Sequence, residues 1–258
     1  MNRLISALIA VAVVLAFLAA PAVADWYVGD GHKMHFPQLP DPYGWDVEIS
    51  SDDNQHELAD DWMCSSSGPV GDIHFWYSVN NDGPTVIEHV AASIYSDDRT
   101  GVYSKPGDLL WSQTFDADDF SVIKDYGTGL QGFADPQDIE TWITGVGNHN
   151  WYHQINITEI DDPFIQEVDT IYWLGLYVWW EGTQEPVGWK TSKSPLFEDT
   201  AVYRTGTDGN WIPLDETNGA PYPLDLAFVI TPEPGTFVLL AMAGISALFF
   251  VWRKRRAA

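Results

Sequence analysis

The residues best suited to bind a metal ion are a few histidines. His32 and His35 have the H-x-x-H spacing of some zinc ligands, and His56 and Glu57 follow further along the chain. Zinc needs several ligands in a fixed geometry, and this histidine pair lies in a proline-rich stretch rather than on a helix. We therefore expect these histidines to have structural or surface roles.

Paired carboxylates raise the separate question of calcium. The pairs are Asp52-Asp53, Asp60-Asp61, Asp97-Asp98, Asp118-Asp119 and Asp161-Asp162. Ca²⁺ binds about six to eight oxygens, often from loop carboxylates, but Asp is also favoured in turns because its side chain mimics a backbone turn. The sequence has no EF-hand loop. We predict no resident cofactor, and Ca²⁺ stays an open alternative with no ligands assigned.

Motifs for nucleophilic catalysis are absent from the sequence. It has no G-x-S-x-G elbow, no P-loop and no Ser/His/Asp order that stands out. A glycosidase needs two carboxylates about 5 to 10 Å apart, but a chain with 37 acidic residues satisfies that condition trivially. Cys64 is the single cysteine, so it forms no intramolecular disulfide and is expected to be a small buried hydrophobe. An enzyme therefore has no positive support.

Tryptophan is the residue type that most invites a binding function, with 13 in the chain and 12 of them before the C-terminal segment. A Trp ring has flat apolar faces and an N–H group, so it suits both cores and binding surfaces. Trp179, Trp180 and Glu181 at a predicted strand end, with Trp189 shortly after, form our candidate ligand surface. Strand alternation sends Trp179 and Trp180 to opposite faces, so at most one of them belongs to the core.

The elements that must position these residues are predicted to be β-strands. Short apolar stretches alternate with clusters of Gly, Pro, Asp and Asn, which is typical of a turn-rich β protein. The predicted strands are 72–79, 86–95, 109–115, 151–160, 170–180, 201–204 and 224–230. The strand 170–180 is apolar on both faces, which predicts a central strand buried between layers. No stretch has helical periodicity, so we expect few helices and a jelly-roll-like antiparallel β-sandwich.

The N-terminus has the three parts of a secretory signal peptide. Arg3 supplies the positive charge, residues 4–20 are apolar, and Ala22 and Ala24 form a small-x-small cleavage site. We therefore expect residues 1–24 to be removed and the mature protein to begin at Asp25. An uncleaved membrane anchor is the alternative.

The C-terminus combines a short motif, an uncharged span and a basic cluster. The motif is Pro232, Glu233 and Pro234, and the residues from Phe237 to Trp252 carry no charge. The basic cluster consists of Arg253, Lys254, Arg255 and Arg256. We predict a transmembrane helix over 236–252 with its basic end in the cytoplasm and the domain outside, by the positive-inside rule.

This tripartite order at the chain end resembles the PEP-CTERM sorting signal of bacterial envelope proteins. In that family a membrane-embedded exosortase is thought to process the tag, and the proteins often accompany extracellular polysaccharide. The resemblance implies a sorting segment over 231–258, an exosortase as processing partner, and a location in the cell envelope or extracellular matrix. The C-terminal helix would anchor the protein in the membrane unless it is processed, and an ordinary stop-transfer helix is the alternative.

Residues 25–230 are predicted to form one extracellular domain. Three stretches resemble an uncharacterised bacterial extracellular domain that often precedes such tags: Gly31–Asp46, Leu58–Cys64 and Asp72–Trp76. Two more stretches, Gly188–Ser192 and Asp225–Ile230, fit its later part. The resemblance supports a single domain and implies no established activity.

The charge of the exported part excludes one class of partner. Without the five basic residues and Glu233 of the two terminal segments, 7 of 12 basic and 36 of 37 acidic residues remain, a net charge of about −29. Nucleic acid needs a basic footprint, so we predict no nucleic-acid partner.

Three functions remain as hypotheses for an exported protein of this kind. The leading hypothesis is an envelope- or matrix-associated protein of structural or adhesive type. The alternatives are a carbohydrate-binding module for extracellular polysaccharide, which needs an exposed Trp patch, and a secreted polysaccharide-active enzyme, which needs a cleft with two facing carboxylates.

Overall fold

The structure is a computed structural model that describes residues 25–49, 56–158, 160–181, 185–193, 195–206 and 209–231. They belong to one compact unit, Asp25–Pro232. The predicted signal peptide and the sorting segment after Thr231 lie outside the described residues. Within the described ranges, no helix has the length and apolar character that crossing a membrane requires.

The fold is all-β, as the sequence predicts. The strands are β1 (Trp45–Glu48), β2 (His56–Met63), β3 (Gly68–Pro69), β4 (Asp72–Val79), β5 (Ile87–Asp98), β6 (Lys105–Asp116), β7 (Phe120–Ala134), β8 (His149–Ile157), β9 (Ile165–Gln166), β10 (Ile171–Trp180), β11 (Val187–Lys190), β12 (Val202–Thr205), β13 (Ile212–Pro213) and β14 (Phe228–Thr231). In the described part of the chain, the helices are α1 (Thr141–Thr144) and a 3-10 turn at Asn80–Asp82. The expectation of few helices is confirmed there.

Two six-stranded sheets dominate the described residues. The first sheet has the order β11-β1-β7-β8-β4-β14 and the second has the order β13-β12-β2-β10-β5-β6. β3 and β9 form a small third sheet. One pair, β1 with β7, is parallel, with Trp45 opposite Gly132 and Val47 opposite Ala134. The expectation of a wholly antiparallel arrangement is therefore wrong at this pair, because β1 joins the end of β7 without a hairpin connection.

The first sheet closes on itself. Strand β4 pairs along one edge with β8, while its other edge is shared by β14 at the start and β11 at the end. Phe75 of β4 lies opposite Phe228, and Tyr77 lies opposite Trp189. As a result β4, β8, β7, β1 and β11 form a closed ring of hydrogen-bonded strands, which we call the five-strand ring.

The main core lies between the two six-stranded sheets. Because side chains alternate along a strand, one face of β10 points inward, and its residues there are all buried: Tyr172, Leu174, Leu176, Val178 and Trp180. Trp62 of β2 meets Phe228 of β14 edge to face, with 6.0 Å between ring centroids. Large rings from both sheets therefore fill the space between them, as expected for most of the tryptophans.

The predicted central strand occupies the position that its sequence indicates, between β2 and β5. Its burial differs from the expectation. Trp173 on the outer face is fully buried, but Tyr177 and Trp179 are only half-buried. The outer face of β10 is therefore partly open at its C-terminal end. The residues that cover Trp173, among them Val202 and Trp211, do not cover Tyr177 and Trp179.

Candidate functional site

The outer face of the second sheet brings together aromatic rings, hydroxyls and charged side chains. On β10 this face carries Trp173, Gly175, Tyr177 and Trp179, which alternate with the inward residues. The flanking strands β5 and β2 place their own outward residues beside them. The face has a closed end around Trp173 and an open end around Trp179.

The closed end is a small satellite core with an ion pair above it. Trp173 packs there with four other buried residues, Ala59, Tyr95, Val202 and Trp211. Glu57 accepts a hydrogen bond from the Tyr95 hydroxyl at 2.7 Å and two from the Arg204 guanidinium at 2.9 and 2.6 Å. Burial, together with the Glu57 carboxylate, raises the pKa of Tyr95. The hydroxyl therefore stays protonated and donates to Glu57.

Gly175 separates the two ends. A Cβ at this position would overlap Oε1 of Glu57 and lie 2.9 Å from Cε2 of Tyr95. The missing side chain therefore lets the Glu57–Tyr95 pair lie across β10.

The open end presents two aromatic rings, Tyr177 and Trp179, which we call the aromatic platform. Their ring centroids are 4.4 Å apart with an interplanar angle of 57°. On the neighbouring strand β5, Ala91 lies opposite Tyr177 and His89 lies opposite Trp179. The His89 ring meets Trp179 edge to face at 6.2 Å and so supports its orientation.

Polar groups border the platform on the side of β6. His89 Nδ1 lies 2.9 Å from Oδ1 of Asp116, and the hydroxyls of Ser93 and Ser112 are 3.1 Å apart. The outward residues of β6 next to the platform are all exposed, namely Ser112, Thr114 and Asp116. Hydrogen-bond donors and acceptors therefore stand beside half-exposed aromatic faces. This is the set of groups that a sugar ring needs, since its C–H face stacks on aromatics and its hydroxyls bind polar groups.

The structure separates the four residues of the predicted ligand surface. Trp179 belongs to the platform, and Glu181 is exposed just past the end of β10. Trp180 faces the main core at 9% exposure. Trp189 is fully buried in the first sheet, where its Nε1 donates to the Ala227 carbonyl at 2.9 Å. Neither Trp180 nor Trp189 can therefore stack against a ligand from solution.

Sequence reasoning missed the partners of Trp179 at the open end. Tyr177 could have been found, because it is two residues from Trp179 on the same strand face. His89 and Asp116 could not, since they come from other strands whose register only the fold defines.

A cleft lies on the first sheet. It is a shallow cleft of about 390 Å³ whose lining includes Tyr77, Trp151 and His153. The Asp82 carboxylate at this cleft already accepts hydrogen bonds from the backbone N–H groups of Asn150 and Trp151. The Asp82 carboxylate is therefore already occupied, which makes the cleft a weaker candidate than the platform.

The histidines singled out by the H-x-x-H spacing do not converge. His32 Nδ1 is 2.9 Å from the Met34 carbonyl, while His35 is exposed and packs on Phe36. His56 is buried, with Nε2 3.2 Å from Oδ1 of Asp135. Among the described residues, no group of three or more His, Cys, Asp or Glu side chains could hold a metal ion.

The pair Asp60-Asp61 does not lie in a turn, as most of the acidic pairs were expected to, but in the middle of β2. Both carboxyls are fully buried, since Asp60 lies opposite Leu174 on the face toward the main core and Asp61 lies opposite the buried Trp173 on the outer face. Asp60 accepts a hydrogen bond from the backbone N–H of Leu226 at 2.6 Å. Neither carboxyl oxygen of Asp61 has a hydrogen-bond partner within the described ranges. Burial first, and then the charge of Asp225, raise the pKa of Asp61 to about 9.

Cys64 is buried, as predicted, and burial raises the pKa of its thiol to about 12. The predicted cleavage residues Ala22 and Ala24 lie outside the described residues. So do Pro232, Glu233 and Pro234 of the sorting motif and the basic cluster from Arg253 to Arg256. The last described residue, Thr231, ends β14 opposite Asp72.

A family model with the description "domain of unknown function (DUF7901)" matches residues 34–231. The chain belongs to the DUF7901 family. A second model, the PEP-CTERM protein-sorting motif, matches residues 231–256. The sorting motif of this DUF7901 protein therefore begins at Thr231, the last residue of β14. Both resemblances drawn from the sequence are confirmed.

The PEP-CTERM motif indicates an exported, envelope-associated protein that an exosortase processes. Neither a curated protein nor a solved structure matches this DUF7901 protein significantly.

Proposed function

We propose that this DUF7901 domain is an adhesive module that binds a neutral extracellular glycan on the outer face of its second sheet. The observation that carries the proposal is the aromatic platform of Tyr177 and Trp179 beside the exposed polar groups of β6. Platform and polar border together supply stacking and hydrogen bonds to one sugar ring. The structural or adhesive role expected from the sequence would then operate through glycan attachment.

The charge of the domain supports a neutral glycan over an acidic one. The exported part carries about −29, and Asp116 borders the platform itself. An anionic polysaccharide would be repelled by this field, while a neutral one is indifferent to it. The same carboxylate accepts hydrogen bonds from sugar hydroxyls without an electrostatic cost.

A single platform of this kind binds weakly. Stacking against one ring contributes about 1 kcal/mol, taking aromatic pairs as the nearest analogue. Many copies held at one envelope would act together on a polymer, so that avidity replaces affinity. Weak, repeated attachment is what an adhesive matrix protein requires.

We also propose the finer architecture and anchoring expected from the sequence. Two packed six-stranded sheets support a jelly-roll-like sandwich, with the parallel β1–β7 pair as a departure from it. A helix over 236–252 would anchor the protein in the membrane until the exosortase acts. Intact mass spectrometry of envelope fractions checks this, because a processed protein lacks that segment and begins at Asp25.

The glycan proposal predicts that Tyr177→Ala and Trp179→Ala each lower binding to neutral polysaccharide several-fold or more, since each removes a stacking face. The measurement is retention of the exported protein on a panel of insoluble neutral and acidic polysaccharides. Tyr43→Ala, which removes a ring that is 76% exposed elsewhere, is the matched control and should bind as wild type does.

Trp151→Ala tests the rival cleft on the first sheet. If Trp151→Ala weakens binding while the platform variants do not, the glycan site is not on the second sheet. If no polysaccharide in the panel retains the wild-type protein, the glycan-binding role itself is refuted.

A further inference from the structure

Three ionisable side chains meet inside the five-strand ring. Asp46 on β1 lies directly opposite Lys190 on β11 in antiparallel register. His149, at the start of β8, reaches the same carboxylate from across the ring. All three side chains are completely buried.

The two contacts converge on one oxygen. Lys190 Nζ lies 3.0 Å from Oδ2 of Asp46, and His149 Nε2 lies 2.9 Å from the same atom. Because a carboxyl C–O bond is about 1.23 Å long, Nζ lies within about 4.3 Å of the carboxyl carbon. The Tyr152 ring covers Nζ at 5.5 Å from its centroid. Amine and carboxyl carbon are therefore held close together in a site without solvent.

The buried ion pair between Asp46 and Lys190 has a large desolvation cost. Two charges are removed from water, and Oδ1 of Asp46 has no hydrogen-bond partner among the described residues. A neutral amide between the two side chains would remove both charges and keep the packing. Burial favours that uncharged product for the same reason that it disfavours an unpaired ion.

We propose that Lys190 and Asp46 condense to an intramolecular isopeptide bond, with His149 as the proton donor. Nζ of Lys190 attacks Cγ of Asp46, the N–C bond forms, and the C–Oδ2 bond breaks. Oδ2 leaves as water with two protons that originate on the lysine ammonium, one of them passed through His149. One ammonium and one carboxylate thus become one amide and one water, and no oxidant or co-reactant is needed.

The surroundings of His149 suit this donor role. Its Nδ1 lies 2.7 Å from Oδ1 of Asn148, whose amide nitrogen in turn donates to Oδ1 of Asn80 at 2.6 Å. Nδ1 and Nε2 therefore both face oxygen acceptors, so the ring donates to Oδ2 of Asp46. A donor is required because Lys190 and His149 lower the pKa of Asp46 overall despite its burial, and a carboxylate oxygen leaves only when protonated.

The site also favours the reactive form of Lys190. Burial lowers the pKa of Lys190, which favours the free amine that can attack. Holding the two groups in contact replaces a bimolecular step by an intramolecular one, with effective concentrations of about 10⁵ M or more in well-oriented systems. Exclusion of water removes the solvent that would drive hydrolysis of the product.

The bond would join residues 46 and 190 and lock β1 to β11 in the ring. The chain's single cysteine leaves no disulfide to do this in an exported domain. The proposed amide would thus serve as the covalent staple of the fold.

The test is peptide mass spectrometry of the full-length protein, expressed with its own export signals and recovered from the envelope. Trypsin does not cut after an acylated lysine. We expect the peptide that ends at Arg99 to be joined to a peptide that runs through Lys190 to Lys193, with a mass about 18 Da below their sum. Separate peptides, with cleavage after Lys190, would overturn the proposal.

Variants test the mechanism. Asp46→Asn should give the same linked product with loss of ammonia, whereas Lys190→Arg should give none, since guanidinium does not condense. His149→Gln should slow linkage by about 100-fold or more after synthesis, which is the lower range for a general acid. Linkage of His149→Gln at the wild-type rate would remove His149 from the mechanism, and a linked product in Lys190→Arg would show that another lysine reacts.

Discussion

At the residue scale, the closed end of the outer face depends on a missing side chain. Gly175→Ala should destabilise the domain by about 1–3 kcal/mol, because the added Cβ overlaps Glu57 and forces the Glu57–Tyr95–Arg204 group to shift. Chemical denaturation measures the free energy of unfolding. Gly31→Ala is the matched control, since no atom lies within 4 Å of a Cβ at that position.

The control separates the clash from the effect of alanine on the unfolded chain. Gly→Ala restricts the unfolded state and tends to stabilise by about 0.4–1 kcal/mol where the fold tolerates it. If Gly175→Ala is as stable as Gly31→Ala, the contact across β10 is not tight.

Asp61 makes a second prediction at this scale, on pH dependence. Its folded-state pKa of about 9 lies above that of an unfolded Asp, about 3.9, so the folded state holds one more proton between these values. Stability from this group is therefore present at low pH and is lost as the pH rises through about 9. Relative to Asp61→Asn, the wild type should lose on the order of 1 kcal/mol per pH unit between pH 5 and pH 8.

The comparison is made by denaturation of both proteins across that pH range. The difference between wild type and variant removes the titrating groups that do not interact with Asp61, and it retains the coupling of Asp61 to Asp225, whose own pKa is about 7. Parallel curves for the two proteins would mean that Asp61 is ionised in the folded state.

The sequence predicts which face of its own strand a residue occupies, but not which sheet that strand joins. Alternation alone places Trp179 and Trp180 on opposite faces, and the structure has one on the platform and one in the core. Trp189 is close in sequence, but it belongs to the other sheet. The local sequence does not show that Trp189 joins a different sheet from Trp179, because sheet membership depends on pairing between distant strands.

At the scale of elements, each predicted strand overlaps an observed one; 72–79 matches β4 residue for residue, whereas only the last three residues of 224–230 belong to β14. The sequence patterns did not predict β7 and β2, for physical reasons. β7 contains three glycines and two charged residues, and β2 contains two buried aspartates where an apolar pattern would need hydrophobic residues. Both strands are stabilised by pairing with neighbours in their sheets, which local propensity does not report.

The last strand gives a prediction at this scale. β14 buries Phe228, Val229 and Ile230 completely, and each such side chain stabilises by about 1.5–3 kcal/mol. The sum is comparable to the total stability of a typical domain, about 5–15 kcal/mol. A chain that ends at Ala227 should therefore fail to fold, while one that ends at Pro232 should unfold cooperatively.

Circular dichroism with thermal melting compares the two truncated chains. The Pro232 chain is the control, since it lacks the sorting segment but keeps all of β14. A cooperative transition in the Ala227 chain would show that β14 is dispensable for folding. The result also bears on processing, because a cut before Phe228 would destroy the domain whereas a cut after Thr231 spares it.

At the scale of the whole molecule, the sequence establishes export, charge and fold class, because these depend on composition and terminal motifs. It does not predict the five-strand ring. Closure requires β11 to pair with both β1 and β4, strands that are more than one hundred residues distant in the chain. Such contacts carry no local signal, so the environment of Asp46 and Lys190 becomes visible only in the fold.

The net charge leads to the last prediction, that sodium chloride stabilises the exported domain. The exported domain has a net charge of about −29, so its carboxylates repel one another. The few cations, such as Arg99 between Asp97 and Glu198, offset little of this repulsion. Raising the salt from about 0.01 M to 1 M shortens the screening length from about 30 Å to 3 Å. We expect the melting temperature to rise by several degrees, where about 2–4 °C corresponds to 1 kcal/mol for a domain of this size.

CaCl₂ at equal ionic strength should raise the melting temperature no further, since within the described ranges no three ligands converge on a metal position. A larger effect of Ca²⁺, reversed by EDTA, would instead reveal a specific site, and a melting temperature that falls with salt would mean that ion pairs outweigh the repulsion.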